Sequence, residues 1–315
     1  MAWPQITNDS GHFWTREQLE EHGAYPVDLN RWRKGSEEWL PLFQARMVHH
    51  FDQRFNSVEV NLENIHNPYI NVPVTDEQHR NARFYPRHQY FVRQEFVGDK
   101  FPDRPPYAIG YRDITRTTDE RTMISTVVPW AGYGNNLPIL VCNEEETVAT
   151  FNEVAPLWAA NFCSFAFDFV ARRKVQGTHM NLYILEQLPV ITRAAYDRRF
   201  GDTTAADLVR DHVLRLCYTA WDLQPFAQAQ GYDGEPFGWD VAERRHLRAR
   251  LDALYFLLYG LDRDDAAYVM DSFPITRRND EPAHNGVYLT KELILRYMSA
   301  LEVGDTDTVV ALPGA

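Results

Sequence analysis

Trp158-Ala159-Ala160-Asn161-Phe162-Cys163-Ser164-Phe165-Ala166-Phe167-Asp168-Phe169-Val170-Ala171-Arg172-Arg173-Lys174 is the stretch on which the fold class turns. Trp158, Phe162, Phe165, Ala166, Phe169 and Val170 recur at helical spacing, and three cations close the run where a helix C-terminus favours them. Gly177 is the expected stop. Upstream, from Trp39 to about Val141, the pattern is different. Short extended runs such as Tyr90-Phe91-Val92, Tyr107-Ala108-Ile109 and Met123-Ile124-Ser125-Thr126-Val127-Val128 alternate with Pro and Gly clusters. Downstream, Tyr183-Ile184-Leu185 reads as a strand and Leu188-Pro189-Val190 ends the unit. Past residue 200 the chain is helical. Asp202-Thr203-Thr204 caps one run, residues 240–258 carry Leu247, Leu251, Leu254, Tyr255 and Leu258 on one face, and residues 262–271 and 290–301 are shorter helices.

These periods predict an α+β chain: an irregular β-rich domain followed by a mainly helical C-terminal region. The expected divisions are a connector over 1–38, an α+β domain over 39–195, a helical region over 196–303 and a frayed tail over 304–315. Within the connector, Thr15 and Gln18 form a capping box for a short helix, and residues 30–35 read as a polar turn. Hydrophobic residues at 44% and aromatics at 13% exclude wholesale disorder. No apolar run approaches the roughly 18 residues of a membrane span, and the N-terminus lacks a signal pattern. Three separated cysteines, Cys142, Cys163 and Cys217, make neither a disulfide framework nor a zinc knuckle. A soluble, cytoplasmic protein without membrane contact is expected.

Charge is uneven. The net value is −12, yet residues 79–121 carry nine Lys or Arg against six acids, a local +3 on a body of −15. A polyanion feels the field within a Debye length of about 8–10 Å, so a basic face remains compatible with DNA.

Catalytic signatures are few. Gly132-Tyr133-Gly134 is followed by Leu137-Pro138, and proline there spoils the helix entry that a phosphate loop needs. His49-His50-Phe51-Asp52 invites a metal reading, but adjacent side chains of an extended run point to opposite faces, and no metal is expected. His66-Asn67-Pro68-Tyr69 lacks the second proline of an amine-gripping methyltransferase loop. No paired acids and lysine of a nuclease hairpin stand out. Two segments look built for recognition instead. Residues 112–122 (RDITRTTDERT) hold three guanidiniums among hydroxyls, chemistry suited to phosphates and base edges. On extended geometry Arg112, Ile114 and Arg116 share a face, and Asp113, Asp119 and Glu120 are the alternative partners that would neutralise those arginines. Residues 172–181 (RRKVQGTHMN) run from a basic helix end into a turn carrying Thr178 and His179, for which a plain helix cap is the competing reading.

Taken in order, several runs carry a family resemblance. They are Asn8-Asp9-Ser10, residues 40–55 (LPLFQARMVHHFDQRF), residues 112–122, Asn161-Phe162-Cys163-Ser164-Phe165, Gly177-Thr178-His179 and Leu188-Pro189. Residues 218–226 (YTAWDLQPF), 251–255 (LDALY), Tyr259-Gly260-Leu261 and 271–275 (DSFPI) continue the series. Over nearly its whole length the chain resembles the C-terminal target-recognition region of large adenine-N6 DNA methyltransferases. These are type IIG-like restriction–modification enzymes and the phage-defence methylases of the BREX and DISARM kind. The resemblance implies a target-recognition module like half of a type I specificity subunit. It also implies that S-adenosylmethionine and the catalytic loops belong to a missing catalytic domain or subunit, so that this chain alone holds no cofactor and is a fragment or a split partner. Double-stranded DNA and that catalytic part are the expected partners. Arg46, Arg54, Arg112, Arg116, Thr117, Arg121, Lys174, Thr178 and His179 are the expected DNA contacts, mostly to phosphate. Two other classes remain: a degenerate nuclease or methyltransferase, and a subunit-docking module using the acidic helical part and the Trp221, Phe226, Phe237 and Trp239 cluster.

Overall fold

The computed structural model describes residues 10–61, 69–98, 105–141 and 147–312. Asn8, Asp9, His66, Asn67, Pro68, Lys100, Arg104 and Cys142 from the sequence reading lie outside them. The strands are β1 (Phe13–Trp14), β2 (Tyr25–Val27), β3 (Arg31–Lys34), β4 (Glu37–Phe43), β5 (Asn56–Val60), β6 (Tyr69–Pro73), β7 (Phe91–Arg93), β8 (Tyr107–Tyr111), β9 (Ser125–Pro129), β10 (Gly132–Tyr133), β11 (Ile139–Leu140), β12 (Arg199–Phe200) and β13 (Thr203–Thr204). The helices are α1 (Arg16–His22), α2 (Asp76–Arg80), α3 (Gln94–Gly98), α4 (Val148–Cys163), α5 (Phe165–Lys174), α6 (Leu182–Leu185), α7 (Ala205–Cys217), α8 (Gln224–Ala229), α9 (Val241–Leu258), α10 (Arg263–Asp271), α11 (Pro274–Ala283) and α12 (Leu289–Glu302). The fold class is α+β, as the periods predict.

The chain divides into two interleaved units rather than into consecutive domains. The first comprises the residues up to Asp113, Ser125–Ala155 and Cys217–Trp239; the second comprises Ile114–Ile124, Pro156–Leu216 and Asp240–Ala315. In the first unit the sheet order is β1-β7-β4-β3-β2, with β10 parallel on β4. A separate sheet, β11-β8-β9, is antiparallel, and β8 and β9 are buried along their whole length. Gly132 has to be glycine, because a Cβ there would lie 2.5 Å from Val92 Cγ2. Residues 218–239 rejoin this unit, with Phe226 edge-on to Tyr107 and the Phe237 amide on the Tyr218 carbonyl.

The second unit is helical. Asp240 caps α9 through the Glu243 amide, and Leu247, Leu251, Leu254 and Tyr255 are buried, as their spacing predicts. The face they form packs on α12 and α5. Among the described residues no single helix is long and apolar enough to cross a membrane.

Four expectations change. Residues 30–35 are mainly strand β3, because Trp32 pairs across the sheet with Trp39 and both rings are buried, so this part of the expected connector belongs to the sheet. The run ending at Lys174 is two helices, since the Ser164 hydroxyl accepts the Phe167 amide and starts a new N-terminus. Tyr183-Ile184-Leu185 lies in α6, a helical turn closed on the Asn181 carbonyl. Residues 304–312 are anchored rather than frayed, because Arg250 donates to the Thr308 carbonyl and Arg296 to that of Ala311.

Candidate nucleic-acid interface

One carboxylate organises the residues singled out in the second unit. Asp168 sits in the first turn of α5 with no exposed surface. It accepts from Arg121 Nε at 2.6 Å, from the Thr122 amide at 3.1 Å and from the Met123 amide at 3.2 Å. Three consecutive residues of the 114–124 loop are thereby pinned to one helix. The Arg121 guanidinium also donates to the Cys163 carbonyl and lies 3.9 Å from the centre of the Phe165 ring. Beneath it, the Phe165 amide donates to Asp252, whose carboxyl burial pushes up to about 6 against the opposing pull of Arg121.

The rest of the loop projects from this anchor. Thr115 Oγ1 donates to the Thr122 carbonyl and closes its base. At the tip, the Asp119 carboxylate accepts the Arg116 amide while the Asp119 amide donates to the Arg116 carbonyl, which makes a tight turn. Arg172, on the last turn of α5, donates to the Asp119 and Glu120 carbonyls. Ile114 bridges to His179, and the Thr115 amide donates to the Thr178 carbonyl at 3.0 Å. The two segments that the sequence reading singles out, 112–122 and 172–181, therefore meet within one unit from Ile114 onward.

Of the nine expected contacts, five are exposed in the second unit: Arg116, Thr117, Lys174, Thr178 and His179. Neither Arg116 nor Lys174 has an ion-pair partner among the described residues. Ile114 is exposed beside them. Asp119 and Glu120 reduce the local positive charge without neutralising these side chains, because Asp119 serves the turn and Glu120 accepts from Asn279.

Two expected contacts are corrected. Arg121 is buried and paired with Asp168, so it positions the loop and presents nothing to a ligand. Arg54, in the first unit, is fully buried. Its guanidinium donates to the carbonyls of His79, Asn81, Phe84 and Thr219 and to the Thr219 hydroxyl. Arg46 and Arg112 are half-buried in the first unit. Arg46 donates to Gln44 and Gln89, and Arg112 to the Val48 carbonyl.

Asp168 is the functional residue that the sequence reading missed. Its signal was a lone acid among Phe165, Phe167 and Phe169: a charge within an apolar helical run needs a buried partner. A scan of family models and searches of curated proteins and solved structures found no match to this chain.

Proposed function

We propose that this chain recognises DNA targets for a site-specific adenine-N6 DNA methyltransferase of a cytoplasmic restriction–modification or phage-defence system. The observation that carries this reading is the junction at Thr115 and Thr178, which brings the exposed Arg116 and Thr117 beside Thr178 and His179, with Lys174 exposed at the end of α5. Guanidinium, ammonium and hydroxyl groups exposed together suit the phosphates of a duplex, which position a protein before any base is read. Arg121 and Asp168 supply rigidity beneath them. The family resemblance supplies the methyl-transfer context: the adenine is flipped and S-adenosylmethionine is held by a catalytic domain or subunit outside this sequence.

The test is duplex binding measured by anisotropy between about 50 and 200 mM salt. Affinity falls steeply across that range if phosphates carry the binding. The Arg116→Ala/Lys174→Ala variant lowers the slope of log affinity against log salt by about two, nearly one unit for each lost contact. Affinity indifferent to salt overturns the reading.

A second reading, docking of a catalytic subunit, is favoured by Leu182 and Tyr183, which stand 52% and 61% exposed on α6 next to this surface in sequence. Stable capture of a partner without duplex binding would select it.

A further inference from the structure

The first unit contains a cavity of about 400 Å³ whose lining residues all belong to that unit. This volume is in the range of small-molecule sites. Its walls include five prolines, Pro41, Pro86, Pro106, Pro129 and Pro225, together with the rings of Phe43 and Trp130. Proline has no N–H, so five positions of the wall offer a backbone carbonyl without a backbone donor.

Among the polar side chains of the lining, Arg31, Gln94 and the Trp130 indole carry donors, while Asp222, His88 and Tyr85 supply acceptors. Asn30 is already committed, donating to the Pro86 carbonyl. His88 faces the Leu42 carbonyl through Nδ1 at 3.1 Å, and burial holds its imidazole down to about 4. The ring is therefore neutral, and with Nδ1 as the donor Nε2 carries a lone pair that has no partner among the described residues. Tyr85 Oη is buried with no hydrogen-bond partner. The Asp222 carboxylate accepts from Gln53 Nε2 on one oxygen, and burial pushes it up to about 6 against the opposing pull of the Arg54 guanidinium. Arg31 is the one Lys or Arg among the described lining residues, so the walls are close to neutral when Asp222 is ionised.

We propose that this cavity binds a small planar organic molecule bearing hydrogen-bond donors, an aromatic amide, amine or amidine, whose ring lies against the proline and aromatic walls while its donors meet Asp222, Tyr85 and His88. The site is separate from the exposed surface around Arg116 and is tested without DNA.

The probes are benzamide and benzamidine, with methyl benzoate and benzoate as ring-matched controls that lack donors, titrated into the full chain and followed by protein NMR. The two donor-bearing probes bind with a Kd of about 1 mM or tighter, and the controls bind at least about tenfold more weakly. Benzamide against benzamidine decides whether the occupant is neutral or cationic. Tyr85→Phe removes an oxygen that no protein group uses, so it keeps the fold and weakens the donor probes about fivefold. Asp222→Asn weakens benzamidine about tenfold or more. The proposal is overturned if neither donor probe binds at millimolar concentration, if methyl benzoate binds as tightly as benzamide, or if Tyr85→Phe leaves the affinity unchanged.

Discussion

Arg54 in the first unit and Asp168 in the second are both fully buried charges, and they do opposite work. Arg54 gathers carbonyls from four residues, 79, 81, 84 and 219. Asp168 gathers amides, from Thr122 and Met123, together with a guanidinium. The pattern extends to their neighbours. In the first unit His88 serves the Leu42 carbonyl, Asn30 that of Pro86 and Asn56 that of Arg46. In the second, Asp252 takes the first amide of α5. Irregular, proline-rich chain has more carbonyls than N–H groups, whereas helix N-termini and the loops beside them have spare N–H groups. Arg54 and Asp168 each meet the backbone groups that their own surroundings leave over.

The strongest way to break this comparison is to remove one charge from each unit. Asp168→Ala removes the carboxylate that Arg121 Nε donates to and orphans two amides, so chemical denaturation should show a loss of about 3–5 kcal/mol. Adding Arg121→Leu should recover part of that loss but not all, because the amides stay unmet. Arg54→Met leaves carbonyls unmet and withdraws the cation that favours the charged form of Asp222, and should cost about 3 kcal/mol. A smaller cost for Asp168→Ala than for Arg54→Met would reverse the ranking.

The pH dependence sharpens the contrast. Burial holds folded His88 down to about 4, below its ordinary 6.5, so the unfolded chain binds the proton first. Its contribution is present above about 6.5 and lost as pH falls toward 4, roughly 3 kcal/mol in all. Asp222 and Asp252, pushed up to about 6 by burial, act with the opposite sign, and their contribution is lost as pH rises through 6. His88→Gln, which can still donate to Leu42, should flatten the acid side of the profile relative to the parent chain. Identical profiles would remove His88 from the account.

Smaller effects follow. Tyr85→Phe should raise stability by up to about 1 kcal/mol, because it deletes a buried hydroxyl without a partner. Arg116→Ala and Lys174→Ala should leave the melting transition within about 0.5 kcal/mol while changing the salt slope of DNA binding. A large destabilisation by either would make that side chain structural.

Much of the second unit was legible. The amphipathic period around Leu247, Leu251 and Leu254 and the helices over 262–271 and 290–301 follow from local rules, and the structure has them. The first unit was less so. Residues 30–35 look like a turn because their polar groups dominate the count, while Trp32, buried on Trp39 across the sheet, decides the outcome. The candidate site divides in the same way. Arg116, Thr117, Lys174, Thr178 and His179 are exposed as expected of a contact surface, whereas Arg54 and Arg121 are internal.

Local periodicity determined by itself that this chain is α+β, where its main helices run and which two segments concentrate cations and hydroxyls, because side-chain spacing and capping act over a few residues. Only the tertiary structure decided which arginines face water and which hold the chain together. That choice depends on backbone carbonyls and a carboxylate brought from 25 to 165 residues away, and a guanidinium looks the same in sequence whether its partner is a phosphate or the protein itself.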